Sequence, residues 1–258
     1  MKMYVIHAAT INTDKAYIVA GAPSEPVSGP VPYYLIQHEK GYVLFDTGHN
    51  LPTVENVQKG LPEFIYHAYK PDVYKEGFVL NALEKVGVKP EEIMYVVCSH
   101  LHFDHCGGMG YFPNATYIVQ KEELNYAYNP DPFMQAVYFR EDFDKNLSWM
   151  TLEGWNDNKY DIFGDGKLII YFTPGHTPGH QSLLVNLEKE GSFMLTVDAC
   201  YNAEILDGLK LSALACDNSA YIKNLKMFKE MQKRGITIMI AHDPEQWKTT
   251  KTLPEFYE

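Results

Sequence analysis

Residues 100–108 read His100-Leu101-His102-Phe103-Asp104-His105-Cys106-Gly107-Gly108. The run Ile93–Cys98 before them is apolar and β-branched, as a buried strand requires. Three imidazoles and a carboxylate fall at i, i+2, i+4 and i+5. One helical face would instead repeat at i, i+4, as in a zinc helix of the H-E-x-x-H kind. The spacing therefore predicts a tight loop curling around a metal pair, with Gly107 and Gly108 admitting close backbone approach. Imidazole and carboxylate without thiolate suit zinc, iron, manganese or cobalt.

Working outward, four more apolar runs end in residues of the same chemistry. Tyr42–Phe45 ends at Asp46, and Leu168–Phe172 leads through Thr173-Pro174-Gly175 to His176. Phe193–Val197 ends at Asp198, and Ile236–Ala241 ends at His242. In open α/β sheets ligands bind beyond the carboxyl ends of strands, so these residues are expected to converge on one edge. Half of the 10 histidines sit in such places. His7, His38, His49 and His67 read as ordinary surface or core residues, and His180 as either support for the site or scaffold.

The remaining segments alternate strands and helices, which makes the class α/β with a single domain over residues 1–258. Val31–Ile36 and Tyr42–Phe45 flank a Glu39-Lys40-Gly41 turn and read as a hairpin. Ala115–Val119 and Leu183–Leu187 read as strands. Phe78–Val86, closed by Gly87, Lys121–Ala127, much of Pro132–Trp149, and Tyr221–Arg234 read as helices.

With 22 Lys+Arg against 33 Asp+Glu, the formal charge is −11. That balance argues against nucleic acid or an anionic membrane as partner, since both draw on clustered basic residues. No run approaches the ~18 apolar residues of a membrane span. Met1–Thr10 is too short and interrupted for a secretory signal. Cys98, Cys106, Cys200 and Cys216 form no C-x-x-C pair, so a reduced, cytoplasmic setting is expected.

The run His-Leu-His-Phe-Asp-His resembles the H-x-H-x-D-H signature of the metallo-β-lactamase superfamily. The order Phe45-Asp46-Thr47-Gly48, that signature, Pro174-Gly175-His176, Asp198 and His242 follows the superfamily across nearly the whole chain. Within it, Ser99–His105, Thr173–Leu183, Asp198-Ala199-Cys200-Tyr201 and His242-Asp243 are similar to the N-acyl-homoserine lactone lactonases, the quorum-quenching enzymes. The resemblance implies an αββα sandwich (an α+β layering) with metals at one edge of two sheets. It implies one ion held by His100, His102 and His176, and a second by Asp104, His105 and His242, with Asp198 bridging both. Zinc is the first expectation. Asp46 would orient a ligand loop.

Two divalent ions would outweigh Asp104, Asp198 and a bridging hydroxide, leaving an electrophilic site able to attack an ester-like carbonyl. The resemblance implies that Tyr201 hydrogen-bonds the developing oxyanion and helps bind substrate, while Asp104 shuttles a proton to the leaving oxygen. Phe103, enclosed in the motif, is expected to touch the substrate. The aromatic-rich stretch from Tyr126 to Met150 reads equally as pocket lining or helix packing. The expected activity is hydrolysis of the lactone ring by a monomer or homodimer. A lactonase for another ring such as 4-pyridoxolactone, or a thioesterase of the glyoxalase II type, is the alternative, although the latter resembles a longer chain. A metal-dependent binding module is the non-enzymatic rival, and Asp104 and Tyr201 argue against it.

Overall fold

The computed structural model describes residues 1–258. Seven strands form the larger sheet: β1 (Lys2–Asp14), β2 (Pro26–His38), β3 (Gly41–Phe45), β4 (Asp72–Val73), β5 (Ile93–Val97), β6 (Thr116–Gln120) and β7 (Ser148–Leu152). Their order is β4-β1-β2-β3-β5-β6-β7. The second sheet contains β8 (Lys159–Asp161), β9 (Leu168–Phe172), β10 (Gln181–Leu187), β11 (Gly191–Val197) and β12 (Thr237–Ile240). Its order is β12-β11-β10-β9-β8.

Period-two alternation assigns each strand's residues to two cores. Met3, Val5, Tyr34, Ile36, Val43, Phe45 and Val97 face Leu183, Val185, Leu195 and Met239 of the other sheet. Their neighbours Ile6, Tyr33, Leu35, Leu44 and Val96 face outward, under Val79, Ala82 and Leu83 of the helix Val79–Val86. On the far side, Leu184, Met194, Ile238 and Ile240 pack under Tyr221, Leu225 and Phe228 of the helix Asn218–Lys233. Helices thus cover both outer faces, giving the αββα layering. Burial on both faces explains why the central strands read as continuous apolar runs.

The expected hairpin is present and longer than read, with β2 and β3 paired from Tyr34↔Phe45 to His38↔Gly41. Gly87 closes the helix Val79–Val86 in the left-handed conformation that a side chain resists. Two expectations need correction. Pro132–Trp149 holds only a 3-10 turn at Gln135–Val137 and one helical turn at Arg140–Phe143, and Trp149 lies in β7. Pairing of Trp149 and Met150 with Tyr117 and Ile118 of β6 overrides the helical spacing. The loop expected at His100–His105 is a loop only to His102, with Phe103–Cys106 forming a helical turn. The N-terminal strand β1 was not expected either. A bulge between His7 and Ala9 shifts its alternation and hides its period.

β3 and β5 run parallel in one sheet. β11 and β12 run parallel in the other, and β9 shares their direction because both β9 and β11 are antiparallel to β10. All five carboxyl ends therefore deliver their next residues to one edge.

Candidate metal centre and substrate pocket

Asp46 follows β3 with φ +63, a left-handed conformation unusual for a side-chain-bearing residue. The turn swings its carboxylate under the β5 loop. It accepts from the Ser99 amide (2.7 Å), the Ser99 hydroxyl (2.7 Å) and His105 Nδ1 (3.0 Å). The Ser99 hydroxyl spends its one proton on Asp46, so His100 Nδ1 carries the proton in its 2.9 Å contact with Ser99 Oγ. The Nε2 lone pairs of His100 and His105 are then directed away from these partners, and neither atom has a hydrogen-bond partner. His242 Nδ1 donates to the Pro30 carbonyl at 2.7 Å, which turns its Nε2 toward Asp198 Oδ1 at 3.0 Å.

Asp198 stands between these rings. Its Oδ1 lies 3.0 Å from His242 Nε2 and 3.3 Å from His105 Nε2. Its Oδ2 lies 3.4 Å from His176 Nε2 and 3.9 Å from His100 Nε2. His102 Nδ1 and His176 Nε2 approach to 3.1 Å. His105 and His242 thus both bring Nε2 to one oxygen of a buried carboxylate, an arrangement that either a shared proton or a cation between them would satisfy. The structure groups His100, His102 and His176, and separately His100, His105 and Asp198, with ligand atoms within 4.8 Å of one another. The set Asp104, His105 and His242 is looser. Asp104 Oδ2 is 3.6 Å from His105 Nε2, and the His105 and His242 rings are 6.4 Å apart. These donors fit divalent metal ions.

Electrostatics suit the three-histidine group in particular. Burial pushes His100 and His102 well below the ordinary histidine value and His176 down to about 4, favouring the neutral form that binds metal. Burial also opposes charge on His105, but Asp104 and Asp198 outweigh it and hold that ring well above the ordinary value. Burial would raise Asp198, yet His105, His242 and His176 hold its carboxyl well below the usual range.

Close packing of the glycines brings the loops together. A Cβ on Gly107 would lie 2.0 Å from the Asn50 amide nitrogen, so only glycine lets the signature loop rest on residues 47–50.

Tyr201 is buried, donates its hydroxyl to Asp198 Oδ2 at 2.6 Å, and stacks on His242 at 5.1 Å. Phe103 is buried and stacks on Phe139 at 4.9 Å. Both line a cavity of about 330 Å³ in which 14 of 20 lining residues are hydrophobic. His102, Asp104, His176, Asp198 and His242 line it as well. Ile11 and Ile18 from the N-terminal segment, Ile65, and Met134 and Val137 contribute apolar surface. Tyr17, Phe133 and Leu214 also line it and remain exposed to solvent. The aromatic-rich stretch therefore both lines the pocket and packs in the interior, though not as the expected helix. Phe133, Met134 and Val137 line the cavity, while Tyr138, Phe139 and Phe143 are packed in the interior.

Two polar groups of the site carry no sequence signal. Tyr69 donates to Asp104 Oδ2 at 3.0 Å, and Glu123 lies buried behind the signature loop. Each acquires its role only by tertiary approach to residues more than twenty positions away. His180 donates or accepts through Nδ1 with Thr173 Oγ1 at 3.0 Å, and its ring is 5.3 Å from His100. His49, read as ordinary, is buried against Phe103 and Tyr69 at ring distances of 5.8 and 6.0 Å. His38 is buried and bonded to Asp165, and His67 is exposed.

Residues 27–242 match the Metallo-beta-lactamase superfamily. The chain is 41% identical over 232 residues to the N-acyl homoserine lactonase AttM of Rhizobium radiobacter, covering 88% of this chain and 87% of that protein. It is 34% identical to an N-acyl homoserine lactonase of Bacillus sp, covering 99% and 98%. A solved structure of an N-acyl homoserine lactone hydrolase, with the product N-hexanoyl-L-homoserine at its catalytic metal center, superposes with a TM-score of 0.87 at 31% identity, covering 99% of this chain and 98% of that one. No helix is long and apolar enough to cross a membrane.

Proposed function

Because this chain belongs to the metallo-beta-lactamase superfamily, we infer that it is a metal-dependent hydrolase that opens the lactone ring of N-acyl-homoserine lactones. The observation that carries the reading is a ligand-rich floor beneath an apolar, open-mouthed cavity of about 330 Å³. The floor suits an ester and the walls suit an acyl tail. A compact ring without a tail, such as a pyridoxolactone, would leave Tyr17, Phe133 and Leu214 without a partner.

We assign one ion to His100, His102 and His176 and a second to Asp104, His105 and His242, with Asp198 between them; zinc suits the donors. When bound, such ions polarise an ester carbonyl and make hydroxide available at neutral pH.

The protein's own groups then divide the remaining work. Asp46 fixes the proton on His105 Nδ1 and, through Ser99, on His100 Nδ1, so each ring presents its Nε2 to the centre. Tyr201 gives its one phenolic proton to Asp198 Oδ2 at the cavity floor, and with Asp198 engaged by the ions that proton would be free to turn to the oxyanion that forms as the carbonyl is attacked. Asp104 faces the same cavity and is the group that returns a proton to the leaving ring oxygen. Tyr69 holds the Asp104 carboxylate in place for this transfer. Phe103 and the apolar walls exclude water around the acyl chain. Four free cysteines are consistent with a reducing, cytoplasmic setting.

Mass spectrometry of the products tests the reaction. Incubation with an N-acyl-homoserine lactone should add one water and leave the amide intact. Free homoserine lactone plus fatty acid would identify an acylase, and turnover confined to thioesters would identify the glyoxalase-type alternative.

A further inference from the structure

The three imidazoles His100, His102 and His176 come from loops of two different sheets, after β5 and after β9. Something must hold those loops at a fixed spacing. Glu123, in the helix Lys121–Tyr128, is fully buried and takes no part in the reaction described above. Its Oε1 accepts from the Leu101 amide at 3.0 Å and from the Tyr138 hydroxyl at 2.9 Å. Its Oε2 accepts from the Thr177 hydroxyl at 2.5 Å, and the Gly179 amide also donates to the carboxylate.

Three of the four donors lie against a candidate ligand. Leu101 separates His100 from His102, and Thr177 follows His176. The Tyr138 ring meets the His102 ring edge-on at 4.6 Å. Gly179 seals the contact, since a Cβ there would sit 2.1 Å from the Glu123 amide nitrogen. A buried carboxylate is costly unless its lone pairs are filled. If either loop drifted, a buried charge would lose donors, so the four bonds act as one clamp across the two loops.

We propose that Glu123 is a positioning residue that sets the spacing of His102 and His176, and thereby the affinity of the three-histidine group for its ion. The proposal rests on the metal-centre reading above. It also explains how the segment carrying Met134 and Val137 into the cavity is tied to the centre, because Tyr138 belongs to that segment.

The test is zinc binding by the full chain, stripped with a chelator and titrated against a chromophoric competitor. Wild type should bind in two steps. Glu123→Gln puts an amide NH₂ against donors, and should weaken one step by about 10–100-fold, the usual effect of losing a partner behind a metal ligand, while leaving the other unchanged. Leu83→Ala, a core truncation in the helix Val79–Val86, serves as the control for general destabilisation. It should lower the melting temperature and leave both steps alone. Thr177→Val should weaken the same step as Glu123→Gln, and Thr177→Ser, which keeps the hydroxyl, should restore it. Zinc affinity unchanged in Glu123→Gln, or weakened equally in both steps and matched by Leu83→Ala, would overturn the proposal. If Glu123→Gln fails to fold, equal affinities of the two Thr177 variants would overturn it. A wild type that binds no zinc would instead refute the metal centre itself.

Discussion

The Tyr201 hydroxyl donates to Asp198 Oδ2 at 2.6 Å and lies 3.3 Å from His176 Nδ1, which fixes where its proton points. Burial, reinforced by Asp198, raises its pKa well above the ordinary phenol value, so it stays a donor throughout the working range. Removing one oxyanion donor typically costs ~10²–10³ in kcat. Bound ions share that load, so Tyr201→Phe should lose only about 10–100-fold in kcat/KM. Metal content and fold should be unchanged, because only a hydroxyl is deleted. Steady-state lactone kinetics and elemental analysis on one preparation check this. Unchanged kinetics would leave Tyr201 a packing residue. At this scale the ligand candidates were legible because imidazoles and carboxylates gathered at the ends of apolar strands rarely serve any purpose but holding an ion. Tyr69 and Glu123 were not, since a tyrosine and a glutamate in unpatterned stretches look like surface residues until the fold surrounds them.

The elements that aim these residues are strand ends with an abrupt turn. Asp46 has φ +63 and Val197, just before Asp198, has φ +46; a β-branched residue there is strained. Both turns divert the chain at the point where a carboxylate must enter the centre. The segment 131–147 is held differently. Asn50 Nδ2 donates to both oxygens of Asp142, in the turn Arg140–Phe143, at 3.0 and 3.2 Å. Burial nevertheless pushes the Asp142 carboxyl up to about 7. Its folded value lies above the unfolded value of about 4, so its stabilising contribution is full below about pH 4. That contribution fades as pH rises to about 7 and changes no further above it. Asp142→Asn removes the titration. Melting curves across this window should show a smaller loss of stability for the variant than for wild type, by on the order of 10 °C (a rise from about 4 to about 7 is worth about 4 kcal/mol, and ~1 kcal/mol corresponds to about 2–4 °C at this size). Parallel slopes would contradict the assignment. That this segment is mostly irregular was hidden from the sequence, because Phe139, Phe143 and Trp149 serve three different packing partners rather than one helical face.

Across the whole molecule, the two sheets share one core and meet at one edge, where five strand ends supply the donors. This much the apolar runs and the residues that end them made legible. The cavity above that edge was not, since Ile11, Ile65, Met134 and Leu214 come from four separated stretches that only the assembled layers bring together. The cavity floor is rich in metal donors and its walls are apolar, which together suit the two-ion lactonase proposed above. The most direct measurement strips the full chain with a chelator, adds zinc stepwise, and follows lactone opening after each addition. A two-ion centre predicts no opening in the stripped chain and a rate that rises to a plateau at two equivalents of zinc, consistent with Asp198 presenting one oxygen to each side of the centre. Full activity at one equivalent, or activity that survives chelation, would contradict it.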